Sequence, residues 1–211
     1  MTSHVQVAAG KKYLIAKRLL DIVGAGIGLV IAFPVIAALA VIIKIEDPRS
    51  SVFFKQVRVG RNGQTFHMYK FRSMISGAED MLKHLLVENE ASGPLFKMKR
   101  DPRVTRVGRI IRKTSLDELP QLWNVIRGDM SLVGPRPALP REVAEYSLYH
   151  KQRLLVIPGL TGLWQVSGRS SLGFQEMVEL DLLYIQNRSI WFDLHIILKT
   201  FGALSGSKDA Y

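Results

Sequence analysis

Two adjacent carboxylates, Asp117 and Glu118, stand just behind Arg112 and Lys113 in a chain otherwise short of acids. A carboxylate held beside cations suits attack on an anionic phosphate. The cations keep it ionised and offset the repulsion between the two anions. Ser115 and Glu118 have the Ser-x-x-Glu spacing of a capping box, which predicts a helix starting here. Both carboxylates would then sit at a helix N-terminal edge, where phosphate also binds well. Pro120 complicates that register, because proline is comfortable only in a first turn. The same residues have a purely structural reading, a cap and nothing more, so the surrounding elements must decide.

Several other side chains could serve the same chemistry. Arg136 lies between two prolines in Gly134-Pro135-Arg136-Pro137. Fixed φ on both sides would pre-position it as a bidentate phosphate clamp; the alternative is a rigid turn with a solvated arginine. Arg106, Arg109 and Lys113 fall at helical spacing and predict a basic stripe feeding into the acidic pair. Asp193 stands among apolar neighbours, where an aspartate needs a partner; it is either a structural hydrogen-bonding residue or part of the site. Pro158 to Arg169 is glycine-rich but lacks the lysine of a P-loop and the spacing of a dinucleotide fingerprint.

Composition limits what these groups can be doing. The 211 residues suit one domain, or a domain with an appendage, and there is no internal repeat. Lys and Arg number 29 against 18 Asp and Glu, so the net charge of +11 calls for an anionic partner: nucleic acid, an acidic membrane surface or phosphorylated substrates. The absence of cysteine excludes disulfides, thiolate catalysis and Cys-ligated zinc.

The elements that must position the carboxylates begin with a membrane segment. Ile22 to Ile43 carries no charged side chain, and its length of about 22 residues is enough to cross a bilayer as a helix. Pro34 sits near its middle. Lys11, Lys12, Lys17 and Arg18 precede it, and Lys44, Arg49, Lys55, Arg58 and Arg61 follow it. Cations at both ends place both ends on the cytoplasmic side, so the segment reads as a re-entrant helix broken at Pro34. A kinked span is the alternative.

Asn62-Gly63, between apolar runs around Phe53 and Phe66, predicts a small β-hairpin whose basic face carries Lys55, Arg58, Arg61, Lys70 and Arg72. Helices are expected over 75–89, from the acidic pair to about Gly128, over 141–155 as an amphipathic surface helix, and over 174–203. The expected class is α+β, mostly helical. Residues 1–48 are expected to hold the membrane segment, and 49–211 to form one continuous functional unit around the acidic pair.

Lys17-Arg18-Leu19-Leu20-Asp21, Lys70-Phe71-Arg72-Ser73-Met74, Arg112 to Gln121, Gly134-Pro135-Arg136-Pro137 and Pro158-Gly159-Leu160-Thr161-Gly162 occur in that order. Together they resemble the monotopic bacterial polyprenyl-phosphate phosphoglycosyl transferases, over nearly the whole chain. Gly93 to Met98 and Tyr184 to Ser189 look closest to the hexose-1-phosphate transferases of exopolysaccharide pathways. The expectation is a minimal catalytic form, without the extra N-terminal membrane helices of the long members.

The resemblance implies that Asp117 is a nucleophile toward the β-phosphate of a UDP-sugar, expelling UMP, before undecaprenyl phosphate attacks the phosphosugar-aspartyl intermediate. It implies that Glu118 completes a dyad with a role in proton or acceptor handling. It assigns Arg112, Arg136, Asp193, Lys70, Arg72 and Arg169 to substrate binding, and Mg²⁺ to a site including Asp117. Partners would be the UDP-sugar, the lipid phosphate and the bilayer, with galactose or glucose as the leading sugars; nucleic acid is not expected, and a homodimer is compatible. The site would lie on the cytoplasmic face of the inner membrane. Phe33 precedes Pro34 where some members have a small polar residue, a departure at the membrane break. Two rival readings are direct displacement in a ternary complex and a non-enzymatic basic membrane-binding protein.

Overall fold

In the computed structural model, which describes residues 10–85, 87, 89–90, 93–96, 98, 100–168 and 171–206, the chain opens with one 36-residue helix, α1 (Lys11–Glu46). It is helical through Pro34. Proline removes one backbone hydrogen bond and bends a helix without having to end it. One side of α1 is less exposed along its whole length, at positions 21, 25, 28–29, 32, 36, 39–40 and 43. This three-to-four spacing marks a single stripe laid against the rest of the protein. The other side is apolar and bare, with Val30 at 76% exposed, Ile31 at 73%, Phe33 at 67% and Ile45 at 73%. A buried core helix would not leave so much hydrocarbon in water, so length, composition and exposure together fit a membrane-seated helix.

The Lys17-Arg18-Leu19-Leu20-Asp21 motif is the clamp that holds α1. Lys17 Nζ pairs with Asp193 Oδ2 at 3.0 Å. Arg18 donates to the Val125 and Ile126 carbonyls, both at 2.7 Å. These carbonyls lie at the C-terminal end of α4 (Gln121–Arg127), where Val125 also accepts the Gly128 N–H and a cation meets the negative end of the helix dipole. Asp21, buried, accepts from the Ser131 hydroxyl and the Leu132 N–H, both at 2.9 Å.

After α1 comes an antiparallel hairpin, β1 (Phe53–Val59) and β2 (Thr65–Phe71), in a register that pairs Phe54 with Lys70 and Arg58 with Phe66. Asn62 at φ 57° and Gly63 at φ 80° make the turn that the Asn-Gly pair predicted. The expected single basic face is divided. Strand alternation puts Arg58 and Lys70 on one face and Lys55 on the other, where it lies over the Tyr69 ring. Arg72 leaves the strand and donates to the Ser51 carbonyl at 2.7 Å.

Helix α2 (Ala78–Leu85) covers the middle of the span expected at 75–89. Helix α3 (Arg106–Lys113) carries the predicted basic stripe, with Arg106, Arg109 and Lys113 all exposed. Its first turn is capped twice, by Thr105 Oγ1 accepting from Gly108 N–H at 2.9 Å and by Glu46 of α1 accepting from Val107 N–H at 3.1 Å. Gly108 sits so close to the hairpin's end that a Cβ there would lie 2.0 Å from the Ser73 carbonyl oxygen.

Helix α4 docks on β2 by imitating a strand. Asn124, fully buried, accepts from Tyr69 N–H at 3.0 Å and donates to the His67 carbonyl at 2.7 Å, satisfying a strand edge that no further strand among the described residues covers. The helix ends on Gly128 at φ 88°. Next, β3 (Ser131–Val133) pairs in parallel with β4 (Gly159–Thr161). Gly134 and Gly159 approach closely enough that a Cβ on Gly159 would lie 2.1 Å from Gly134 N.

The amphipathic helix expected over 141–155 is instead three short pieces: α5 (Pro140–Ala144), α6 (Leu148–Lys151) and a 3-10 turn over Gln152–Leu155. Ser147 causes the break, since its hydroxyl accepts from His150 N–H and starts a new helix. A short α7 (Leu163–Ser167) follows β4. The helix expected over 174–203 is two, α8 (Phe174–Asn187) and α9 (Ile190–Gly206), the second running slightly past the expected end. The buried Arg153–Asp181 pair, at 2.6 Å, ties the 3-10 turn to α8. The main apolar core joins Val133, Val178, Tyr184, Ile185 and Ile196; a second joins α1 through Ala25 to Met68, Val125 and Met130. A third joins Ile43 to Phe71 and Ile111.

Candidate active site

Asp117 and Glu118 lie in a 3-10 turn, Leu116–Glu118, wedged between α3 and α4. The capping box predicted at Ser115 does not form. Ser115 is left-handed, at φ 56°, and its side chain makes no cap. It ends α3 by donating its N–H to the Arg112 carbonyl at 3.1 Å, and its own carbonyl receives the Glu118 N–H at 3.2 Å. Pro120 becomes the N-cap of α4, which starts at Gln121. Both carboxylates therefore stand immediately before a helix N-terminus, as expected, by a different local route. Leu116 packs on the core around Phe71 and Ile111, and Leu119 packs on two cores. These flanking leucines fix the turn, and Asp117 points inward at 7% exposed.

Lys70 of β2 reaches both acids. Its Nζ is 2.6 Å from Glu118 Oε1 and 3.8 Å from Asp117 Oδ2. No side chain among the described residues hydrogen-bonds the Asp117 carboxylate, which is met by the Lys70 ammonium and by its own backbone N–H. Burial pushes the Asp117 carboxyl above the usual carboxylate range; Lys70 and Arg112 act the other way, and the charge on Glu118 adds to the rise. The expected pull of the neighbouring cations is present, and burial outweighs it. On Glu118 burial also acts upward, but Lys70, with Arg136 and Arg58 behind it, outweighs that and holds the carboxyl below its ordinary value. The two adjacent acids are thus driven apart, a pattern characteristic of acid–base sites.

Arg136 comes to the same place from the Gly-Pro-Arg-Pro loop. It pairs with the buried Glu142 at 3.2 Å, and Glu142 is itself held by the Leu139 N–H at 2.9 Å. Arg112, in the last turn of α3, acts electrostatically on Asp117. The expected group of Asp117, Glu118, Lys70, Arg112 and Arg136 is therefore brought together. Arg72 turns away to Ser51, and Arg169 lies outside the described residues.

Asp193 belongs to a different network. Fully buried, it receives Lys17 at 3.0 Å, Tyr13 at 3.2 Å and Tyr184 at 2.7 Å. It pins α1 to α9, and none of these partners reaches the acidic pair.

Arg58 was visible in the sequence only as one of many surface cations. It is 7% exposed, donates to Gln56 and to the Pro137 carbonyl, and acts on Glu118. A Gln-x-Arg on a strand leading into the hairpin turn was the available signal, but only the long-range contact with Pro137 gives it meaning.

No group of three or more acids or histidines that could hold a metal occurs among the described residues. That donor set does not exclude Mg²⁺, which commonly takes one or two carboxylates and completes its octahedron with phosphate oxygens and waters. The Asp117 carboxylate, which no side chain among the described residues hydrogen-bonds, fits such a role.

Residues 12–207 match the family model described as bacterial sugar transferase. Over 189 residues the chain is 52% identical to "Galactosyl transferase CpsE" of Streptococcus agalactiae serotype III, covering 89% of this chain and 42% of that protein. It is 43% identical over 199 residues to "Undecaprenyl-phosphate galactose phosphotransferase" of Salmonella typhimurium, covering 92% and 41%. With "Exopolysaccharide production protein ExoY" of Rhizobium meliloti it shares 41% over 200 residues, covering 93% and 88%. The chain thus spans about two fifths of the first two relatives and most of the third. With nearly its whole length matched by one model and by relatives of this identity, the chain belongs to the bacterial sugar transferase family.

Proposed function

We propose that this protein transfers a hexose-1-phosphate from a UDP-sugar to undecaprenyl phosphate, as a membrane step of exopolysaccharide or related glycan assembly. The relatives named for galactose transfer and for undecaprenyl phosphate support the substrate classes. The observation that carries the chemistry is Lys70 bridging two carboxylates of which one, Asp117, has no hydrogen-bonded partner side chain. An Asp117 oxygen attacks the sugar-bearing phosphorus of the donor. A new P–O bond forms, the bond to the bridging oxygen breaks, and UMP leaves with that oxygen. An oxygen of the lipid phosphate then attacks the same phosphorus, releasing the aspartate and yielding the polyprenyl diphosphosugar.

Glu118, kept ionised by Lys70, is placed to accept a proton from the incoming lipid phosphate. Arg136 and Arg112 offset the negative charge of the donor's phosphates. A magnesium ion, held by Asp117 and phosphate oxygens, would supply further charge neutralisation when bound.

Helix α1 brings this site to the bilayer surface, where the lipid phosphate resides. Lys11, Lys12, Lys44 and Arg49 lie at its two ends, and all four are exposed. Lys17 and Arg18 are spent on protein contacts and contribute less to orientation. Lys44 also donates to the Ser50 carbonyl at 2.9 Å, and exposed cations at both ends support a re-entrant course with the site on the cytoplasmic face.

The test is incubation of purified protein with UDP-galactose or UDP-glucose, with and without undecaprenyl phosphate, following UMP release. Release with one donor supports the reading. No release with either donor in the presence of acceptor would remove it.

A further inference from the structure

Arg58 is buried without an acidic partner. Among the described residues no carboxylate lies within ion-pair distance of it, although it is only 7% exposed. Its Nε and Nη2 donate to one Gln56 oxygen at 3.0 and 2.6 Å, and its Nη1 donates to the Pro137 carbonyl at 2.9 Å. Burial, with Arg136 next, pushes its guanidinium down to about 9, although Glu142 and Glu118 act the other way from beyond ion-pair distance. A buried cation of this kind is costly unless something answers it. The fold nevertheless places it behind a second arginine.

The contact with Pro137 explains the placement. Pro137 follows Arg136, and Val59 N–H, one residue on from Arg58, donates to the Ala138 carbonyl at 2.9 Å. On the loop's other side Gly134 N–H donates to the Thr161 carbonyl at 2.9 Å and Gly159 N–H to the Pro135 carbonyl at 2.8 Å. The Pro-Arg-Pro loop is therefore gripped by β4 before Arg136 and by β1 after it. Arg58 supplies the only side-chain grip from β1 among the described residues. Arg136 keeps a side chain 29% exposed, with one nitrogen on Glu142 and the rest of its fork open.

We propose that Arg58 is a positioning residue: through Pro137 it aims the open side of the Arg136 guanidinium at a diphosphate, whose charge also answers that of Arg58. The ligand class is a nucleoside diphosphate, so the proposal rests on the donor-binding part of the transferase reading. Its test can stand apart from turnover.

The experiment is a double-mutant cycle in the full chain in detergent, using Arg58→Met and Arg136→Gln, with UDP binding measured by calorimetry and UDP-sugar turnover measured in parallel. Loss of a charge-assisted positioning contact predicts that Arg58→Met weakens UDP binding about tenfold or more with Arg136 present. With Arg136→Gln already made, the further loss should be under about twofold. In turnover the loss should fall on KM rather than kcat, and Arg58→Lys should recover part of it. If Arg58→Met does not fold, Gln56→Met takes its place under the same criterion. Equal losses in both backgrounds, or no loss in either, would overturn the proposal, as would wild-type protein that binds no UDP. Coupled binding without UMP release would uphold it while removing the transferase reading. Turnover with additive losses would do the reverse.

Discussion

Lys70 Nζ sits 2.6 Å from Glu118 Oε1 and 3.8 Å from Asp117 Oδ2, so one ammonium on a β-strand serves two neighbouring acids on a 3-10 turn. The shorter contact ties Lys70 to Glu118 and leaves Asp117 within its field but unbonded. Neutralising Lys70 would therefore strand two adjacent carboxylates. Lys70→Met is expected to lower kcat by about a hundredfold, the usual scale for one well-placed charge at a phosphoryl centre. It should also destabilise the fold by about 1–3 kcal/mol. Steady-state rates and a thermal melt on the same preparation measure both.

Asp117 should trade stability for function. Its carboxyl is raised by burial, so the folded protein holds this proton more tightly than the unfolded chain does. Stability from this group is fully present below the unfolded value and falls as pH rises through the folded one. Asp117→Asn removes that loss. The variant should be inactive, and it should melt higher than wild type by about 2–4 °C at neutral pH if about 1 kcal/mol is recovered. The gap between the two proteins should close as pH is lowered toward the ordinary carboxylate range. Melting curves across pH give the answer. A gap that widens at low pH would mean the sign is wrong.

Asp193 should behave as a fastening residue. Asp193→Ala leaves Lys17, 14% exposed, without its acid, and leaves the Tyr13 and Tyr184 hydroxyls without theirs. Breaking such a buried pair is expected to cost about 3–5 kcal/mol. In protein that remains folded at low temperature, KM for the UDP-sugar should be unchanged. A large KM rise with an unaltered melt would instead place Asp193 at the substrate.

The course of α1 can be read with single thiols, because the chain has no cysteine of its own. Lys12→Cys and Arg49→Cys are at exposed positions on either side of the apolar run. A re-entrant helix predicts that both are labelled by an impermeant reagent only from the cytoplasmic side. Labelling of one from each side would establish a full span.

Much of this arrangement was legible in the sequence, because it depends on local signals. Asn62-Gly63 announced its hairpin turn, Gly128 ended α4, and the spacing of Arg106, Arg109 and Lys113 gave the stripe on α3. Asp117 and Glu118 stood out by their charge. The mistaken inferences depended on distant partners or on competing local bonds. Ser115 had the spacing of a cap, yet Arg112 and Glu118 claim its backbone and force it left-handed. The 141–155 segment had one apolar pattern but also Ser147, whose cap bond breaks it. Arg136 was marked by its flanking prolines, but nothing local shows that Arg58 and Lys70 face the same site. Strand register places those two on one face, and a loop gripped from two strands delivers Arg136.

The most direct test of the central claim is intact-protein mass spectrometry in detergent with Mg²⁺ and a UDP-hexose, with no lipid acceptor present. The account predicts a hexose-phosphate added to wild type and absent from Asp117→Asn, and removed when undecaprenyl phosphate is supplied. An unmodified wild-type protein that still releases UMP once the acceptor is added would contradict it, and would assign the transfer to a single displacement in a ternary complex.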